Sequence, residues 1–398
     1  MVYLGTVTGS IFSIIFIVFL IMTAGYLLGT VSIKGISLGT AGVLLAAIIY
    51  GVIASKVPSF TVGETEIALF SDAIKSRFSF VSSLGTAMFV TSVGLIAGPK
   101  FFRSLNRKFL VYILMGIVII GAGALITTLF TLIDPNLRPE MAVGLMTGAL
   151  TSTPGLSAAQ EVAGDAGDLV TTGYGIAYLF GVLGVVFFVQ LMPRFLKVDI
   201  EEEVKKFSAA DTVQVEMSAK ELHRVEPIGL FPFALAVALG CVIGAIKVPG
   251  INFSLGNSGG CLLAGLIVGH FGRLGGLDLR VFKNTLNFLR ELGLALFLIG
   301  AGVPGGVNFI SNIKLSYFIY GAVITLVPMI IGYIVAKKIF KVDLFNALGS
   351  ITGGMTSTPA LGALIHTAGT DDVAASYAAT YPIALVCVVL AAKIIILL

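Results

Sequence analysis

The sequence predicts an all-α polytopic membrane protein made of two inverted-topology repeats, each with about five spanning helices and one broken, re-entrant helical segment. Three observations predict it. The 398 residues are 57% hydrophobic and only 12% charged, with a mean hydropathy of +1.03, whereas soluble domains are about 25% charged. Apolar windows recur from end to end as six, a gap, and six more. The two sets of six also share sequence in the same order.

The windows fall at 10–30, 36–55, 79–97, 109–132, 141–164 and 169–192, then at 228–246, 253–270, 286–304, 314–336, 343–366 and 374–397. About 20 apolar residues cross a hydrocarbon core about 30 Å thick, so each window is a candidate membrane segment. A cleaved signal peptide is not expected, because the first apolar stretch, Ile11 to Leu28, has no Lys or Arg before it. The gap, Arg194 to Pro227, holds six basic and eight acidic residues. It reads as a solvated linker, too short to bury a core of its own. The expected divisions are a first membrane repeat over 1–193, a charged linker over 194–227 and a second membrane repeat over 228–398.

The formal charge of +4 is read as membrane topology, since no basic run is long enough to suggest a nucleic-acid partner. Cys241, Cys261 and Cys387 lie singly in apolar segments without Cys-x-x-Cys or Cys/His spacing. No metal or cofactor is therefore expected. Trp is absent, which leaves any aromatic belt to Tyr and Phe.

Three colinear matches establish the internal repeat. Ser37–Ala47 and Ser254–Ala264 are identical at six of eleven positions. Ser82–Gly98 pairs with Arg290–Gly306 through Leu84/Leu292, Gly85/Gly293, Ala87/Ala295, Phe89/Phe297, Gly94/Gly302 and Gly98/Gly306. Ala142–Leu156 and Ala347–Leu361 share nine of fifteen residues, including an intact Thr-Ser-Thr-Pro in each.

That motif carries the chemistry. Pro154 and Pro359 stand near the middle of windows that would otherwise each be one helix, and proline removes a backbone donor and clashes with the preceding turn. Each window should break there and restart, with Pro at the first helical position and Thr153 or Thr358 as the capping hydroxyl. Gly144, Gly148, Gly353 and Gly354 upstream permit unwinding, which membrane depth tolerates only inside protein or beside a watery cavity. The eleven residues from Pro154 to Gly164 make about 16 Å of helix, which puts the break near the midplane. A half-helix aiming its N-terminus into a cavity offers free N–H groups and a positive dipole end, so two of them form a site for carboxylates. The predicted ligands are Thr151, Ser152, Thr153, Pro154 and Gly155 in the first half and Thr356, Ser357, Thr358, Pro359 and Ala360 in the second. A kink in an ordinary spanning helix is the bland alternative. Its weakness is that interrupted segments recur at corresponding places in a duplication.

Further candidates follow the same alignment. Tyr174 and Tyr178 match Tyr377 and Tyr381, and the hydroxyls of Tyr178 and Tyr381 could reach substrate or sit at the interface. Arg290, beside Glu291, could meet a carboxylate, though a charged pair at a helix start is usually interfacial. Glu161 matches His366, and both should lie toward the aqueous ends of their half-helices, with a proton relay the sharper alternative. The pairs Gly25/Gly29, Gly94/Gly98, Gly240/Gly244 and Gly302/Gly306 are expected to serve close helix packing.

Counting basic residues does not separate two topologies. Re-entrant motifs with five spans per half, or twelve full spans, each put 18 of 25 basic residues inside. The first is preferred because it places Lys100, Arg103, Arg107 and Lys108 inside and the balanced stretch Lys56–Arg77 outside.

The paired Gly-rich Thr-Ser-Thr-Pro segments, each followed by Ala177–Tyr178 or Thr380–Tyr381, resemble the aspartate–alanine exchanger family of bacterial secondary transporters. The resemblance covers both membrane halves. It implies exchange of small carboxylates or amino acids such as aspartate, alanine and succinate, an inner-membrane location, five spans before a cytoplasmic loop, and both termini outside. The family carries a pair of regulatory domains in that loop, and the 34-residue linker has no room for them. The expected partners are thus a small carboxylate or amino acid, the lipid bilayer and a second copy in a homodimer. Competing readings are a sodium- or proton-coupled symporter, a channel, and a membrane hydrolase using Ser357 or Thr356 with His366 and Asp371. The hydrolase suffers from having Glu161 at the matching first-half position, so the chain is expected not to be an enzyme.

Overall fold

In the computed structural model, the described residues are 14–33, 36–37, 41–62, 65–101, 110–196, 198, 203, 222–248, 253–254, 256–307, 309–370 and 373–397. Every apolar window becomes helix, and two of them break where the prolines stand. The first half runs α1 (Ile14–Gly29), α2 (Ala41–Lys56), α3 (Asp72–Phe101), α4 (Leu110–Ile133), α5 (Pro139–Ala149), α6 (Thr153–Ala163) and α7 (Gly167–Phe195). The second repeats the order as α8 (Leu230–Ala245), α9 (Gly256–Phe271), α10 (Lys283–Val307), α11 (Leu315–Ile334), α12 (Leu344–Gly354), α13 (Thr358–Ala368) and α14 (Ala374–Leu397). The protein is an all-α polytopic membrane protein. Among the described residues, six helical stretches are long and apolar enough to cross a membrane. Helices α1, α2, α8 and α9 have 16 residues each, about 24 Å, which is short for a full hydrocarbon core.

Small antiparallel hairpins, which the apolar windows do not foreshadow, join the short helices at matching places. Strands β1 (Ser32–Ile33) and β2 (Ile36–Ser37) link α1 to α2, and β3 (Ser59–Val62) and β4 (Thr65–Ala68) link α2 to α3. Strands β5 (Lys247–Val248) and β6 (Phe253–Ser254), then β7 (Arg273–Leu274) and β8 (Leu277–Asp278), repeat this from α8 to α10.

Glycine contacts reveal the direction of each broken pair. Helices α5 and α7 lie side by side and run the same way, since Gly144 abuts Val170, Gly148 abuts Tyr174, and Gly181 abuts the carbonyls of Gly148 and Ala149. The chain must therefore turn back along α6, and Gln160 near its end donates to Thr171 Oγ1 near the start of α7. Helices α12 and α14 are related in the same way, with Gly349 against Val373 and Ser376 and Gly353 against Tyr377 and Thr380. Both motifs are helical hairpins in which the chain turns back on itself. Helix α14 also relates one hairpin to the other. Its first turns follow α12, and its later turns follow α6, with Val388 beside Gly155 and Lys393 beside Glu161. The hairpins thus approach their tips from opposite ends of α14.

The Gly-xxx-Gly pairs serve close packing. A Cβ on Gly98 would run into the Leu266 carbonyl oxygen, one on Gly244 into that of Gly256, and one on Gly306 into that of Ile48. Backbone cannot yield as a side-chain tip can. Gly306→Ala is therefore expected to cost about 1–3 kcal/mol, the usual range for overpacking, read as a lower melting temperature in detergent. An unchanged melting temperature would show that α2 and α10 are not so closely apposed.

Most of the linker lies outside the described residues, as do Arg103, Arg107, Lys108 and Asp371. The linker's end is docked. His223 N donates to the Gly276 carbonyl, Asp278 N donates to that of His223, and Arg224 and Arg280 both pair with Asp278 at 2.9 and 2.7 Å. The Arg280 guanidinium, with that of Arg224, holds the Asp278 carboxyl well below the usual carboxylate range.

Candidate substrate site at the paired helix breaks

Each Thr-Ser-Thr-Pro performs a helix stop and a helix start in consecutive residues. Thr151 N donates to the Gly148 carbonyl and Ser152 N to that of Thr147, and Thr356 and Ser357 repeat this onto Gly353 and Thr352. These are the two bonds of a Schellman stop, whose left-handed residue is usually glycine. Here it is threonine, with φ of 54° at Thr151 and 51° at Thr356. A β-branched residue in that region is a true outlier that costs about 1–3 kcal/mol and persists only where its surroundings impose it.

The surroundings that impose it are the opposite hairpin. Thr151 Oγ1 donates to the Met355 carbonyl at 2.9 Å, and Thr356 Oγ1 donates to the Leu150 carbonyl at 2.9 Å. The two breaks, about 200 residues apart in sequence, are therefore joined by a reciprocal pair of hydrogen bonds. Both threonines are at least nine-tenths buried.

The cap falls one residue earlier than the motif suggests. Ser152 is extended, with φ −96° and ψ 96°, and its Oγ accepts from Gly155 N at 3.2 Å. Thr153 is then the first helical residue and Pro154 the second. The reason is that the serine ending the Schellman turn already has the extended backbone an N-cap needs. Ser357 has the same backbone, φ −97° and ψ 97°, but its Oγ is buried and makes no hydrogen bond. Gly155 and Ala360 are buried at the starts of α6 and α13. The side chains of Thr358 and Pro359 lie outside the described residues.

The tyrosines flank the breaks in matching pairs. Tyr174 stacks on Tyr178 with centroids 5.0 Å apart, and Tyr377 stacks on Tyr381 at 5.1 Å. Arg290 forms an ion pair with Glu291 at 2.9 Å, its side chain about one-third exposed. The charge of Arg290 is within electrostatic reach of the Tyr381 phenol and that of Glu291 within reach of Tyr178.

Ser157, Thr86, Ser258 and Lys393, which the motif does not point to, add polar contacts around α6. Ser157 Oγ donates to Thr86 Oγ1 at 3.2 Å and bonds Ser258 Oγ at 2.8 Å, joining α6 to α3 and α9. Glu161 accepts from the Asn257 and Ser258 N–H groups at the start of α9 and faces Lys393 Nζ at 3.6 Å. Lys393 is 1% exposed. The available signal was that Lys393 is the one charge in the last apolar window. His366 is exposed on α13. It stands nine residues beyond Ser357, about 13 Å along one unbroken helix, too far to act as base for that hydroxyl. Among the described residues, no group of His, Cys, Asp and Glu is arranged to hold a metal ion.

Comparison with known proteins agrees with this architecture. A family profile described as a predicted permease membrane region matches residues 17–194 and 232–397. An uncharacterised transporter of Bacteroides fragilis is 25% identical, with 96% of this chain and 97% of the relative covered. Uncharacterised transporters of Desulfotalea psychrophila, 23% identical over 96% of each chain, and of Rhodopirellula baltica, 25% identical over 95% of this chain and 98% of the relative, behave alike. These alignments run over 540 to 546 positions, more than the 398 residues of this chain, so the relatives carry inserted sequence that it lacks. By the match across both membrane halves, the chain belongs to the aspartate–alanine exchanger family of permeases.

Proposed function

We propose that this transporter exchanges small carboxylates or amino acids, of the aspartate, alanine or succinate kind, by binding the anion where the two re-entrant hairpins meet. The observation that carries the reading is the reciprocal bonding of Thr151 and Thr356, which holds two helix N-termini from two homologous halves at one buried place. Such ends present free N–H groups and positive dipole ends without a fixed cation in the bilayer. Hairpins that enter from opposite ends of α14 support inverted repeats, with the linker on the cytoplasmic face of a bacterial inner membrane and both termini outside. Carriers of this build reach both sides by moving one bundle against the other, and a homodimer would fix the part that stays still.

The test is counterflow in proteoliposomes. Labelled aspartate or succinate should enter vesicles preloaded with unlabelled carboxylate at least tenfold faster than empty vesicles; equal rates would contradict exchange. A proton-coupled carrier is the second reading, favoured by the Glu161–Lys393 contact inside the membrane region. It predicts uptake into empty vesicles driven by an imposed pH gradient.

A further inference from the structure

The two halves share a fold but are not equivalent in what they offer a ligand. At the first break Ser152 Oγ is already engaged by Gly155 N. At the second, Ser357 Oγ is 0% exposed and has no hydrogen-bond partner. Thr380 shows the same condition. Its side chain packs against Gly353 at the end of α12, is 0% exposed, and leaves Oγ1 without a partner. A threonine inside a helix would ordinarily return its hydroxyl to the carbonyl four residues back, as Thr127 and Thr352 do. The position matching Thr380 in the first half is Ala177, which has no hydroxyl. Ser357 and Thr380 are therefore buried donors without acceptors where the matching Ser152 and Ala177 are not, and a buried donor left unsatisfied is costly.

The helices that leave the breaks differ in the same sense. Residues 154–159 of α6 are wholly buried, and α6 is sealed to α3 and α9 by the Ser157, Thr86 and Ser258 hydroxyls and by Glu161. In α13 the residue matching Ser157 is Gly362, and a Cβ placed there would meet nothing within 4 Å. Thr86 is matched by the apolar Leu294. Among the described residues α13 makes no packing with α2 or α10 comparable to that of α6 with α9 and α3. One hairpin is closed onto its neighbours, and in the other α13 packs on α7 and α12 and leaves Gly362 and His366 exposed.

We infer that the substrate site is one-ended: a carboxylate group docks at the start of α13, accepts hydrogen bonds from Ser357 Oγ and Thr380 Oγ1, and is reached along the exposed side of α13 past Gly362. The inference rests on the carboxylate reading above and adds which half holds the anion, by which hydroxyls, and by which route. Hydroxyl and amide donors suit an anion. Thr380 is a binding residue on this account, although it lies outside the Thr-Ser-Thr-Pro motif.

The test is equilibrium binding of succinate and L-aspartate to the purified full-length chain in detergent, with folding checked by size and melting. Thr380→Val and Ser357→Ala should each raise the dissociation constant at least tenfold, Thr380→Ser should stay within threefold of wild type, and Thr127→Val should not change it. The rise in Ser357→Ala should exceed that in Ser152→Ala at least fivefold. Gly362→Phe, which fills the exposed side, should slow association at least fivefold. Wild-type affinity in Thr380→Val and Ser357→Ala, or an equal loss in Ser152→Ala, would overturn the one-ended site and leave the carboxylate reading standing. Failure of the wild-type chain to bind either probe would overturn both.

Discussion

Replacing Thr151 and Thr356 together by valine is expected to reduce carboxylate uptake at least tenfold and to lower the melting temperature of the purified chain. Valine keeps the branched shape but removes both inter-hairpin hydrogen bonds. Two consequences follow. The Met355 and Leu150 carbonyls lose their cross-hairpin donors, at about 1–3 kcal/mol each for a buried group left unsatisfied. The left-handed backbone at both positions also loses the bond that opposes its strain, while the β-branch that causes the strain remains. Thr151→Gly provides the control, because it removes the same hydrogen bond but tolerates a φ of 54°. The glycine variant should therefore melt above Thr151→Val. If the double valine variant transports and melts like wild type, the hairpin tips do not depend on each other.

The second large effect is expected at Glu161. Its carboxylate occupies the start of α9 and faces Lys393, whose side chain is almost fully enclosed. Breaking a buried pair by removing one partner costs about 3–5 kcal/mol because a charge is left in a poor solvent. The Glu161 side chain is 31% exposed, so the expected loss for Glu161→Ala is reduced to about 1–3 kcal/mol. Glu161→Ala with Lys393→Met should recover much of the stability, since neither charge then remains. Space matters as well. A Cβ on Gly256 would overlap the Glu161 carboxyl group, so Gly256→Ala should displace it and resemble Glu161→Ala. Full stability in Glu161→Ala would mean that Lys393 is held by other groups.

How far these sites could be read from sequence differed by level. Long apolar windows and two prolines were enough for the helices and their breaks, because membrane depth leaves the backbone little choice but helix. Which way each broken segment turned was not legible in charge, since both topologies place 18 basic residues inside; it needed contacts such as Gly144 with Val170. The motif was legible as a restart but its parts were misassigned by one residue. The local rule that places proline first in a helix lost to the Schellman stop before it, which leaves serine extended and ready to cap. The role of the leading threonines was hidden for a different reason. Their partners are main-chain carbonyls about 200 residues away, and carbonyls carry no mark in a sequence. Glu161 was expected toward the aqueous end of its half-helix from its spacing beyond Thr153 alone. Its seat on α9 and its buried lysine were not foreseen.

The most direct measurement is thermal stability of the purified chain with succinate and, in parallel, with its neutral isostere succinamide. A ligand that binds only the folded state raises its melting temperature by mass action, by about 2.7 kcal/mol of stabilisation at 100 times its dissociation constant. Binding at helix N-termini and hydroxyl donors requires the anion, so succinate, L-aspartate or a similar small carboxylate should raise the melting temperature while succinamide leaves it unchanged. Equal shifts with succinate and succinamide, or no shift with any small carboxylate at millimolar concentration, would contradict an anion site at the paired breaks.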